Sequence, residues 1–169
     1  MRTIVIGIGN PVLCDDSVGL EIVRRLRKEL PESDDVATTE LYAGGIRLME
    51  AMVGYDEAIL VDAIQTENGR PGAIHALDLA DVAQTRNICS THDGSLAVAL
   101  DLGRITGLAI PPRISIWAVE AADVETFSEA MTAAVAAAVP EVVDRIIAQL
   151  QTGSFLYQEI RHENSSLFL

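Results

Sequence analysis

TIVIGIGNPVLCDDSVGLEIVRRLRKEL, residues 3–30, decides how this chain is built. Thr3–Ile8 is a β-branched run broken only by Gly7, with no polar alternation, which is the pattern of a strand buried on both faces. Gly9-Asn10-Pro11 ends it in a turn. From Ser17 the period changes. Val18, Ile22, Val23, Leu26 and Leu30 recur at helical spacing, with Arg24, Arg25 and Lys28 between them, and Pro31 stops the helix.

The same alternation continues along the chain. Val36–Tyr42 reads as a second strand, Gly44-Gly45 as a loop and Ile46–Val53 as a short helix. Glu57–Ile64, EAILVDAI, is a third buried strand. Asn68-Gly69-Arg70-Pro71-Gly72 is a strong turn signal. Ala73–Leu77 reads as a fourth strand and 80–93 as a polar loop. Gly94–Ile105 returns to helical spacing, with Leu96, Leu100 and Ile105 facing inward. Arg113–Val119 alternates as the last strand. Ser128–Leu150 is a long helical pattern that Pro140 should kink or restart. Strands alternating with helices predict a three-layer α/β/α sandwich on a mainly parallel or mixed five-stranded sheet, of phosphorylase/hydrolase-like type. Residues 1–150 form one domain, and 151–169 are a polar, irregular tail with no assigned role.

Length and composition agree. A chain of 169 residues with 49% hydrophobic and 22% charged residues can bury one sizeable core and is not a disordered chain. The formal charge is −13, from 25 acidic and 12 basic residues. Such a surface repels phosphate backbones, which argues against nucleic acid as a partner. Cys14 and Cys89 form no CxxC pair and suit a reducing compartment. The first apolar run, of roughly seven residues, is too short for a signal sequence. No stretch approaches the roughly 20 apolar residues of a membrane span, so a cytoplasmic protein is expected.

In open α/β sheets, ligands bind beyond the carboxyl ends of the strands. That rule selects the loop 9–16 after the first strand, Asp62 at the end of the third, and Ser90-Thr91-His92-Asp93-Gly94. Asp15 and Asp16 precede the first helix, where one can cap it and leave the other for another task. Asp62 interrupts an apolar strand, and a buried acid needs a partner. His92 lies in a polar loop, whereas His75 and His162 read as structural, His75 pointing to solvent. Two oxygens and one nitrogen suit nickel, zinc or cobalt, and three protein ligands leave positions open. Gly7-x-Gly9-x-x-Val12 resembles a dinucleotide fingerprint, but its third glycine is missing. Cys14, beside carboxylates that raise a thiol's pKa, reads as a bystander.

With these residues in view, the chain resembles the nickel-iron hydrogenase maturation proteases. The likeness rests on IVIGIGNPVLCDDSVG at 4–19, AGG at 43–45, ILVDAI at 59–64 with the following PG turn, STHDGSL at 90–96, and the ISIWAVE strand. It implies an endopeptidase of aspartyl type that trims the C-terminus of a nickel-loaded large-subunit precursor and so activates the hydrogenase. It further implies that Asp16, Asp62 and His92 are both metal ligands and catalytic group, Asp62 the least replaceable of them. Nickel would come with the substrate, with zinc or cadmium as stand-ins in a crystal, and the protease would be a monomer. Many members carry Glu where this chain has Asp16. Nickel polarising a carbonyl or water, and a carboxylate acting as general base, are both compatible with the resemblance. Two other readings compete: a non-enzymatic nickel chaperone or sensor using the same ligands, and a peptidyl-tRNA hydrolase-like enzyme suggested by GIGNP. The latter lacks an early histidine here.

Overall fold

The computed structural model describes residues 1–31, 33–82 and 96–152. In chain order the elements are β1 (Thr3–Ile8), α1 (Val18–Glu29), β2 (Val36–Leu41), α2 (Gly45–Met52), β3 (Glu57–Ile64), β4 (Ile74–Leu77), a one-turn α3 (Leu79–Val82), α4 (Leu96–Ile105), β5 (Arg113–Glu120) and α5 (Ala133–Thr152). A single 3-10 turn, Asp15–Ser17, leads directly into α1.

The strands form one sheet in the order β2-β1-β3-β5-β4. The first four are parallel, as expected for strands joined through helices, and β4 runs antiparallel to β5. The sheet is therefore mixed. The connection from β3 to β4 spans only residues 65–73, shorter than the dozen or so that a parallel crossover requires. The chain has to turn back at the rim.

Alternation along the central strands sorts their side chains into two cores. Val5, Ile59, Val61, Ala63, Trp117 and Val119 pack on one face against Val18, Ile22, Val23 and Leu26 of α1 and Val135, Val139, Val142 and Ile146 of α5. Ile4, Ile6, Ile8, Leu60, Ile64 and Ile116 pack on the other against Leu48, Met49 and Met52 of α2 and Leu96 and Leu100 of α4. This is the three-layer arrangement. No helix among the described residues is long and apolar enough to cross a membrane.

Several local expectations are revised. Leu79–Val82 forms a helical turn inside the segment read as loop, where Asp78 and Asp81 exchange bonds with its backbone. Ile105 is 84% exposed. It lies five residues past buried Leu100, roughly 140° around the helix, and so cannot share the inward face. The long helix begins at Ala133, because Ser128–Thr132 are engaged in side-chain bonds that pre-empt helical pairing. α5 also runs through Pro140 without interruption. Pro140 is on the exposed side, where the carbonyl it leaves without a donor meets water, while the stripe Val135, Val139, Val142 and Ile146 holds the helix to the sheet.

Candidate active site

Three glycines seat the corner between β1 and α1. A Cβ on Gly7 would lie 2.2 Å from the Gly19 carbonyl oxygen, and one on Gly19 would lie 2.3 Å from the Val61 oxygen and 2.4 Å from the Ile8 oxygen. One on Gly9, whose φ is +149°, would lie 1.9 Å from the Asp16 oxygen. All these neighbours are backbone, so only glycine permits the approach. The start of α1 therefore rests on the ends of β1 and β3, and Asp16 arrives over the end of β1. The glycines that resemble a dinucleotide fingerprint serve this close packing.

Asp62 is on β3, one residue past Val61, which pairs with Gly7 of β1. It is 5% exposed, and its Oδ1 accepts the Ala63 N–H at 2.8 Å. Strand alternation puts it on the side of Leu60 and Ile64, the face covered by α2 and α4. Asp16 and Asp62 thus come to one edge of the sheet, as the carboxyl-end rule predicts. His92, Cys89 and the tail with His162 lie outside the described residues, so the third member of the expected set is not among those placed. Among the described residues, no three His, Cys, Asp or Glu side chains are grouped to hold a metal ion.

The two neighbouring acids have opposite environments. Asp15 is fully buried. Its Oδ1 accepts the Thr132 N–H at 2.7 Å. Its Oδ2 accepts the N–H groups of Ala122 at 2.9 Å and Asp123 at 3.0 Å, and the Thr132 hydroxyl at 3.0 Å. Asp16 is only partly buried and accepts one bond, from the Asn10 N–H at 2.8 Å on Oδ2. Partial burial pushes its carboxyl pKa above the ordinary value, opposed by that single bond. The capping expectation is corrected: neither side chain caps the turn or α1. Asp15 ties a distant loop, and Asp16 is the acid left at the edge.

Cys14 is buried, and its thiol donates to the Ala130 carbonyl at 3.3 Å. Desolvation, then the charges of Asp15 and Asp123, push its pKa up. A thiol held protonated is a poor nucleophile, which fits the bystander reading. His75 does not point to solvent. It is buried against Glu120, Nε2 to Oε2 at 3.2 Å, and Glu120 also accepts the Thr66 N–H at 2.7 Å and hydroxyl at 3.1 Å. Sequence reasoning missed Glu120, although an acid closing the apolar strand ISIWAVE is the same signal that singled out Asp62.

A family model described as hydrogenase maturation protease (HycI) matches residues 20–149, most of the chain and a span that includes Asp62 and His92. The chain belongs to the hydrogenase maturation protease family. The Hydrogenase 2 maturation protease of Escherichia coli K12 is 29% identical over 152 residues, covering 89% of this chain and 92% of the relative. The solved structure of the hydrogenase maturating endopeptidase HybD from E. coli superposes with a TM-score of 0.77 at 28% identity, over 90% of this chain and 94% of that one. A HybD protease from Thermococcus kodakarensis shares the fold, with a TM-score of 0.64 at 20% identity over 89% and 99%. This hydrogenase maturation protease is accordingly a peptidase, which sets aside both the non-enzymatic chaperone and the tRNA hydrolase readings.

Proposed function

We propose that this protease removes a C-terminal peptide from the nickel-loaded large-subunit precursor of a nickel-iron hydrogenase, acting as a cytoplasmic monomer that reads the substrate's nickel through Asp16, Asp62 and His92. The observation that carries the reading is the glycine interlock. It presses the turn bearing Asp16 onto the ends of β1 and β3, next to the residue before Asp62. Two carboxylates at one edge, with the imidazole of His92 shortly before α4 in the sequence, make a donor set suited to a borderline divalent ion.

Nickel held there would supply Lewis acidity toward a carbonyl or a water. The chain's own part, at Asp16, is to present an oxygen donor with little hydrogen-bond compensation. Asp16 has one hydrogen bond and a raised pKa, so a cation arriving with the substrate relieves a charge that burial disfavours. If a water attacks, Asp16 or Asp62 serves as the general base. Asp62, buried on the strand, is the anchoring ligand.

The test uses nickel-loaded and nickel-free precursor with mass measurement of the product. Trimming of the loaded form alone is expected, and Asp62→Ala should reduce it at least 100-fold. Equal trimming of both forms, or an Asp62→Ala variant at normal rate, refutes the reading.

A further inference from the structure

We infer that Asp15 is a positioning residue that braces Asp16 against the strand pair carrying Asp62; the inference rests on the site proposed above. Asp62 on β3 pairs with Ala118 on β5. Just past the end of β5 the chain is still tied to β3, since the Ala121 N–H donates to the Ile64 carbonyl at 2.8 Å. The next two residues, Ala122 and Asp123, aim their N–H groups at Asp15 Oδ2, at 2.9 and 3.0 Å. Asp15 is adjacent to Asp16. An unbroken chain of short contacts therefore runs from the strand of Asp62, through β5 and the loop after it, to the turn of Asp16.

The loop is also clamped from its far end. Thr132 donates both its N–H, at 2.7 Å to Oδ1, and its hydroxyl, at 3.0 Å to Oδ2. Backbone bonds from Cys14 N–H to Thr126 O at 3.0 Å and from Asp15 N–H to Asp123 O at 2.9 Å run alongside. One carboxylate thus gathers four donors from three residues of a loop more than a hundred positions away. In a 3-10 turn successive side chains diverge by roughly 120°. Pinning Asp15 inward fixes the rotation of that turn, and with it the outward direction of Asp16. A residue serving only the fold would stabilise the loop without setting where the neighbouring acid points.

Asp15→Asn preserves shape but sets an amide NH2 against N–H donors on one side. The experiment titrates nickel into wild type, Asp15→Asn, Thr132→Val and Thr132→Ser, and follows trimming of nickel-loaded precursor, at a temperature where circular dichroism shows each variant folded. Asp15→Asn is expected to weaken nickel binding and kcat/KM about 10-fold each. Thr132→Val should lose about 3-fold, and Thr132→Ser, which keeps the hydroxyl, should recover wild-type values. Folded Asp15→Asn with wild-type nickel affinity and wild-type kcat/KM overturns the inference. If Asp15→Asn does not fold, the Thr132 pair decides by the same measures, and identical behaviour of Val and Ser overturns it. Where wild type binds no measurable nickel alone, kcat/KM decides. A wild type that neither binds nickel nor trims precursor is a failure of the proposed function and removes the inference with it, whereas an active wild type matched by variants that show no deficit is a failure of the inference.

Discussion

Replacing Gly19 with Ala tests the packing on which the site depends. The new methyl would lie 2.3 Å from the Val61 oxygen, 2.4 Å from the Ile8 oxygen and 2.9 Å from the Ile8 nitrogen. None of these atoms belongs to a flexible side chain, so α1 must back away from the sheet by roughly 1 Å to restore ordinary contact. Overpacking of this kind costs about 3 kcal/mol at the upper end of the usual range. Better helix propensity of Ala returns about 1 kcal/mol. A net loss of about 2 kcal/mol corresponds to a Tm lowered by roughly 4–8 °C in a domain of this size. The displaced helix carries Asp16 with it, and a misplacement of about 1 Å at a reacting centre can lower kcat roughly 100-fold. Thermal unfolding and precursor trimming, measured on the same preparation well below Tm, read both effects. Gly54→Ala is the control. Its φ is +86° with nothing within 4 Å of a Cβ, and it precedes β3 at the opposite edge of the sheet. It should lose about 1 kcal/mol from left-handed backbone strain and trim normally. Gly19→Ala with wild-type Tm and wild-type kcat would refute the reasoning.

Asp16→Asn should abolish trimming yet raise Tm at pH 7. The Asp16 pKa is raised in the fold, so its protonated form is favoured there, and its contribution to stability is present below the ordinary carboxylate range and lost as pH rises through the raised value. The Tm difference should vanish near pH 3, and a difference that instead grows on acidification contradicts the assignment. Cys14→Ala should trim at a rate within about 2-fold of wild type while losing on the order of 1 kcal/mol for the buried sulfur; loss of activity in the folded variant would give the thiol a role. Pro140→Ala should stabilise α5 by about 1–3 kcal/mol, seen as a higher urea midpoint without change in kcat.

How far the sequence speaks depends on whether a feature is local. The β-branched run of β1, the buried run of β3 and the amphipathic α1 are set by periodicity within each element, and they appear with nearly the expected bounds. Asp62 is legible because a charge inside AILV-D-AI has few explanations. The misreadings have distant causes. Nothing near Asp15 says that its partners are Ala122, Asp123 and Thr132, so it looks like a helix cap. Nothing near Ser128 says that Thr132 is held by Asp15, so the last helix seems to start early. His75 looks exposed on its short strand because the acid that covers it, Glu120, comes from β5. β4 reverses for a reason visible only when its short connection is set against the sheet. The fold class was open to reading from patterns, while the division of labour between the two neighbouring acids required the tertiary contacts.

That division explains how a stable sheet tolerates acids at its edge. A buried carboxylate is costly unless donors surround it, and Asp15 has four. The same donors would defeat the role proposed for Asp16. An acid with its full complement of hydrogen bonds has little to gain from a cation, whereas Asp16, with one bond and partial burial, has much. Satisfying one acid completely lets the loop, the turn and the strand pair act as a rigid mount. On that mount the neighbouring acid can be left under-satisfied without the corner rearranging to relieve it. The glycines complete the arrangement, since any Cβ at 7, 9 or 19 would meet backbone and lift the turn off the strands. Stability at this corner is thus concentrated in Asp15 and the glycine contacts, which leaves Asp16 free for the cation-binding role proposed for it.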